Sequence, residues 1–316
     1  MSTPSSLAAS SLAYQRMKKI LFSPFNLNRW FTIGFCAWLA MLGNNGSSGN
    51  FPSNSMSPEE MATFKEWLTN PLILSIIAGV IIFCLAIGIV FCWLRSRGDF
   101  MLLQRIYQPD ETISACWRRS KDLGHSLFLW RIGFFAISCL TLILFGIIAY
   151  HTFFATLLTP GFQWDISLLP IALTLLMVLL LILMTIHLVI ILLWDFVVPI
   201  MYWGGLPTTK AWAPVITLCS QHPIAVTIYF LLMAVWWLVA AITILFLAFG
   251  TCCIGFLLLI IPYIGTVALL PMYIFFRAYP IYFLAQWRPD LIPTPEALET
   301  PPTPTATEAS PYNLTP

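Results

Sequence analysis

The chain has 316 residues, of which 59% are hydrophobic and only 9% charged, with a formal net charge of +2. A soluble domain carries about a quarter charged residues, and here the deficit runs along most of the length, which excludes both a water-soluble fold and a soluble domain on a single anchor. No basic patch with interleaved aromatics occurs, so the composition argues against a nucleic-acid partner, and the eight cysteines form neither a CxxC pair nor a disulfide framework.

Read in order, residues 1–23 form a cytoplasmic N-terminal segment. Residues 1–13 are rich in Ser and Ala and read as disordered, and YQRMKKILF (14–22) reads as an interfacial helix, basic on one side and apolar on the other. No signal peptide is visible. Residues 24–288 read as one membrane domain with spans at about 25–43, 72–94, 126–150, 168–194, 223–249 and 264–287. The first is the shortest, with a largely apolar, uncharged stretch of 13 residues from Trp30 to Leu42, where about 20 are needed to cross a bilayer. A Gly/Asn/Ser loop follows (43–57), then a short amphipathic helix starting at Pro58 and carrying Trp67. The second span ends at Arg95-Ser-Arg-Gly-Asp99, and a polar connection through Pro109-Asp110-Glu111 leads to a helix starting at Thr112. The fourth span is the most apolar: from Leu168 to Trp194 it carries no charged side chain, and then Asp195-Phe-Val-Val-Pro199 arrives. Residues 195–222 form a second connection, turning at Gly204-Gly205-Leu-Pro207. The last span contains Pro271 and Pro280, each a candidate kink. Residues 289–316, rich in Pro and Thr, read as a disordered cytoplasmic tail.

Lys and Arg set the orientation. With the N-terminus inside, 12 of the 15 positive side chains fall on cytoplasmic segments, Lys65 lies outside, and Arg131 and Arg277 lie within spans. Trp30, Trp93, Trp130, Trp194 and Trp287 then form a belt at the inner interface. The fold class is all-α: a polytopic integral membrane protein with a six-transmembrane-helix bundle and both termini cytoplasmic.

The chain also echoes itself. Asp99-Phe100 follows the second span and Asp195-Phe196 the fourth. Each is succeeded by an apolar stretch, a Pro-containing turn (Pro109; Pro207), a Thr placed to cap the next helix (Thr112; Thr208 or Thr209) and a Trp (Trp117; Trp212). Two parallel copies of a span–connector–span hairpin are one explanation. Chance agreement of boundary residues is the other.

Ionisable groups within a span mark candidate sites. The set is Asp195, Arg277, Arg131, His187 and Asp99, all in the inner half of the membrane. Arg277 lies about 15 Å from the end of its helix and His187 about 12 Å deeper than Asp195 along the same helix, at 1.5 Å per residue. An Asp195–Arg277 or an Asp99–Arg131 pair would relieve a buried charge. The competing explanations are inter-helix salt bridges and Arg snorkelling to headgroups. His187 has no second His at helical spacing, so hydrogen bonding within the bundle is its simplest role, and no metal site or cofactor is expected. No GxSxG, HExxH, Walker A or GxGxxG motif occurs.

Several segments resemble a known group. Trp93-Leu-Arg-Ser-Arg97-Gly-Asp99-Phe, Ser126-Leu-Phe-Leu-Trp130-Arg131, Asp195-Phe-Val-Val-Pro199, Cys252-Cys253 through Pro262-Tyr-Ile-Gly265 to Leu270-Pro271, and Phe276-Arg277-Ala-Tyr279 carry the likeness. Over about residues 20–288 the chain is similar to uncharacterised bacterial multi-pass proteins related to the membrane domain found beside glycerophosphodiester phosphodiesterases. The phosphodiesterase barrel itself is absent, so the resemblance implies a six-helix module of the bacterial inner membrane and carries over no catalytic residue. The function expected is a non-enzymatic module that binds or passes a lipid or small solute through a cytoplasm-facing polar cavity. The alternative is a scaffold that recruits a soluble partner through the basic 95–125 connector or the C-terminal tail. The expected partners are the bilayer and a lipid or small-solute ligand, with no nucleic acid, and oligomeric state is left open.

Overall fold

A computed structural model describes residues 5–23, 25–42, 70–108, 111–154, 168–250 and 261–293. Among these residues the chain is helical and contains no strand. The expected loop at 43–57, the helix from Pro58 through Trp67, the Cys252-Cys253 link and the tail beyond Pro293 lie outside the described residues.

Helix α1 spans Ser6–Phe22, so most of the stretch read as disordered is ordered. The reason is tertiary. Ser6, Ala9, Ser10 and Ala13, spaced i, i+3, i+4, i+7, form a stripe of small buried side chains, which lets another backbone approach closely. That backbone is α11 (Leu270–Trp287), against which α1 packs along its length. The Ser5 N–H donates to Gln286 Oε1 (2.8 Å) and Gln286 Nε2 donates back to the Ser5 carbonyl (3.3 Å), tying the start of α1 to the end of α11. At the other end Arg16 Nη2 donates to the Ile106 carbonyl at 2.9 Å.

Asn26 caps α2 (Leu27–Met41), accepting from the N–H groups of Asn28 and Arg29. Helix α3 (Pro71–Tyr107) begins on the favourable pairing of an Asn70 cap with Pro71 in the first turn. It runs without a break through Arg95-Ser-Arg-Gly-Asp99, where a helix end is expected from the charges. The charges do not interrupt it because the fold absorbs them: the Arg97 guanidinium lies 4.4 Å from the Trp93 ring centroid and 4.8 Å from that of Trp117, and Arg105 donates to the Glu111 carbonyl. Gly98 is where α2 crosses: a Cβ there would fall 2.6 Å from the Ala40 nitrogen, so no side chain fits.

Thr112 caps the short α4 (Ile113–Arg119), and α5 (Lys121–Ala149) follows and closes in a π-helical turn, Tyr150–Phe154. Helix α6 (Leu168–Leu192) has no buried residue. It passes into a second π-helical turn, Leu193–Val197, and α7 (Val198–Gly204), which ends at Gly205 in the left-handed region (φ 61°). Helix α8 (Thr208–Gln221) starts where the Thr208 N–H donates to Ser126 Oγ at 3.1 Å. Helix α9 spans Pro223–Gly250. Helices α10 (Pro262–Ala268) and α11 meet at Leu269, so Pro271 opens a new helix, whereas Pro280 sits inside a continuous one.

Among the described residues, four helical stretches are long and apolar enough to cross a membrane: Pro71–Tyr107, Lys121–Phe153, Leu168–Gly204 and Pro223–Phe246. In their most apolar windows only 0%, 6%, 0% and 11% of residues are buried within the chain. A helix that is apolar on every side and leaves that surface uncovered is stable in hydrocarbon and not in water. The expected first and sixth spans are not among the four. Helix α2 has 15 residues, about 22 Å at 1.5 Å per residue, and α11 carries Arg277 and Gln286 and is broken from α10. The packed core lies toward the charged ends of the long helices, around α11, where Phe276 through Ala285 are all buried. The fold continues past the expected boundary at 288, since Ile292 is buried in this core.

Candidate functional site

Asp99 stands about one and a half turns beyond the apolar part of α3, and its carboxylate is fully buried. It accepts from Arg131 Nη2 at 2.6 Å and from Trp194 Nε1 at 3.1 Å, while Arg131 Nη1 donates to Ser96 Oγ at 3.0 Å. The pair expected from the sequence therefore forms, and Trp194 adds a third helix to it.

The other expected pair does not. No ion pair within 4.0 Å joins Asp195 to Arg277. Arg277, wholly buried on α11, donates from Nη1 to the Trp194 carbonyl at 2.6 Å and lies 5.0 Å from the Trp194 ring centroid. Local backbone chemistry explains this choice. In the π-helical turn the Val198 N–H bonds to the Leu193 carbonyl, five residues back. The next donor in that register belongs to residue 199, which is proline and has no N–H. The Trp194 carbonyl is thereby left without a backbone partner, and Arg277 supplies one. Asp195 Oδ2 accepts instead from the Tyr229 hydroxyl on α9 at 3.0 Å. Asp195 Oδ1 and Arg277 Nε and Nη2 are buried without a hydrogen bond.

Four of the five expected residues thus gather around Trp194, and His187 does not: it is exposed on α6 and shares no hydrogen bond or ion pair with them. Trp194, Tyr229 and Ser96 were not foreseen. Trp194 reads from the sequence as an interface residue, and the signal for its other role is the proline five positions later. The echo also has a structural counterpart. Each Asp of an Asp-Phe pair is bonded by the next long helix, Asp99 by Arg131 and Asp195 by Tyr229, at separations of 32 and 34 residues.

Beside this cluster, a cleft of about 460 Å³ opens between α3, α5 and α6. Its walls are apolar, from Leu85, Ile89, Phe134, Phe135, Ile186 and Ile190, and its polar end is made by Arg95, Arg131, Trp130 and Trp194. Of the expected site residues only Arg131 lines it, so the cavity is an apolar cleft with a cationic end and not a polar chamber. The Nε of Arg95 is buried without a hydrogen bond. In the neighbouring connector, Arg97 and Arg105 are buried and Arg95 is half-buried, leaving Arg118, Arg119 and Lys121 exposed. Cys116, outside the long helices, is buried, and burial together with Glu111 nearby pushes its thiol up, so it packs as a small apolar side chain. Among the described residues no three His, Cys, Asp or Glu side chains converge.

A family model described as a family of unknown function (DUF7544) matches residues 5–282. No curated protein and no solved structure matches the chain.

Proposed function

The chain belongs to this family of unknown function, and from that premise we propose that it is a non-enzymatic, multi-pass module of a bacterial inner membrane that binds a lipid or small solute in the cleft between α3, α5 and α6. The carrying observation is the cleft itself. Its volume lies within the range of ligand sites, about 300–1,000 Å³, and its apolar walls with a few convergent polar groups match their usual make-up.

Six passes with both termini cytoplasmic belong to the same reading. Helix α1 meets the Tyr107 end of α3 and the end of α11, whereas α3 starts at its far end, about 55 Å away for a helix of its length. A chain whose four long helices cross the bilayer needs one further crossing before α3 and one after α9 to bring both ends together. The kinship to the membrane domain found beside glycerophosphodiester phosphodiesterases also belongs to this reading, on the motifs around Asp99, Asp195 and Arg277.

Gly88 provides the test, because a Cβ there meets no atom within 4 Å. Gly88→Leu is expected to fill the cleft without disturbing the packing. Native mass spectrometry of the purified chain should then show bound lipid or solute on the wild type and at least a several-fold lower occupancy on the variant. Equal occupancy would place the ligand elsewhere and defeat the reading.

A further inference from the structure

We propose that the ligand of this cleft is an anionic phospholipid of the surrounding bilayer, its phosphate held between Arg95 and Arg131 and its chain lying along Gly88 and Ser138. The inference rests on the function proposed above and adds the chemistry of the ligand. It follows from a count of charges at the polar end of the cleft. Two guanidinium groups, Arg95 and Arg131, line it; the acid paired with Arg131 is Asp99, while Asp195, the other acid of the adjoining cluster, is bonded by Tyr229. The Asp99 carboxylate is already engaged by Arg131 and by the Trp194 indole. Among the described residues Arg95 has no acid within ion-pair distance, and its Nε is buried with nothing to donate to.

A surplus cation against apolar walls is unfavourable in hydrocarbon, where water cannot solvate it. An anion that arrives from the bilayer would relieve it. Guanidinium groups hold a phosphate through paired, charge-assisted N–H donors. The walls select for a ligand that brings an acyl chain with that phosphate. Cys84, Leu85 and Phe135 at the outer part of the cleft are exposed, so the opening faces sideways, where lipid is. A phosphate free in the cytoplasm would leave the apolar length of the cleft, from Cys84 to Cys92 on α3, uncovered.

The experiment titrates the purified full chain with phosphatidylglycerol and with phosphatidylcholine of the same chain length, read by native mass spectrometry. The wild type is expected to bind phosphatidylglycerol at least about tenfold tighter. Arg95→Gln should abolish that preference, Arg95→Lys should retain most of it, and Gly88→Leu should weaken both lipids, with unfolding temperatures recorded for each variant. No preference in the wild type, or a preference that survives in Arg95→Gln, overturns the anionic-lipid inference while leaving lipid binding intact. Phosphatidylglycerol binding undiminished in a folded Gly88→Leu overturns the proposed function with it. Displacement of the lipid by millimolar inorganic phosphate overturns the bilayer as the source.

Discussion

Asp99 carries three jobs at one carboxylate: it neutralises Arg131, it fixes the Trp194 indole, and through both it joins α3, α5 and the π-helical turn that follows α6. Removing one partner of a buried pair strands the other as an uncompensated charge, at about 3–5 kcal/mol, whereas replacing both is far milder. Asp99→Ala is therefore expected to lower stability by about 3–5 kcal/mol, and Asp99→Ala with Arg131→Met to recover a large part of it. Thermal unfolding of the two single variants and the double variant checks this. Additive losses would mean that the pair does not act as one unit. At this scale the sequence is half legible. Ionisable residues in an apolar run announce themselves, and Asp99 and Arg131 do pair. Asp195 and Arg277 announce themselves equally, yet Arg277 bonds to a main-chain carbonyl, a partner that no side-chain inventory contains.

The π-helical turn at Leu193–Val197 is the element that decides where Arg277 goes. It holds one residue more than an α-helical turn would, and Pro199 removes the N–H that would otherwise satisfy Trp194. A buried acceptor left unmade costs about 1–3 kcal/mol, and removing a buried cation with two unbonded nitrogens offsets part of it, so Arg277→Met is expected to destabilise by up to that amount. In a Pro199→Ala background residue 199 regains an N–H, and the cost of Arg277→Met should fall by about 1 kcal/mol, the net worth of one hydrogen bond. Unfolding of the four-membered set measures the coupling, and an unchanged cost would show that Arg277 acts on something other than the Trp194 carbonyl. Helix α1 teaches the complementary lesson. Its Ser and Ala residues carry little hydrophobic signal, and a composition-based reading leaves them disordered. Their small size is the feature that matters, because it allows α11 to close against them.

At the scale of the molecule, the protein is asymmetric along its long helices. One end is packed and charged; the apolar stretches beyond it are uncovered. If hydrocarbon covers them, a charge at the middle of α6 is costly whichever way it points. Leu181 lies there, 67% exposed. Leu181→Lys is expected to disfavour insertion by about 2.5–3.5 kcal/mol, seen as a several-fold loss of protein from the membrane fraction. On a water-exposed surface the same change would be neutral, and a neutral result would contradict a membrane-spanning α6.

Length and hydropathy are properties of the chain in one dimension, so the sequence by itself determined the all-helical class and the long apolar stretches; of the six spans it predicts, four appear among the described residues as helices long and apolar enough to cross a membrane. It also named four ionisable groups, Asp99, Arg131, Asp195 and Arg277, that lie around Trp194. Only the tertiary structure decided which of them touch, that α3 continues through its charged segment, that α1 is ordered, and that Arg95 and Arg131 end an apolar cleft. The physical reason is rotational. Which side of a helix a residue presents changes by about 100° per residue, so a single extra residue in a π-helical turn redirects everything after it. Hydropathy averages over that rotation, whereas contacts between helices depend on it.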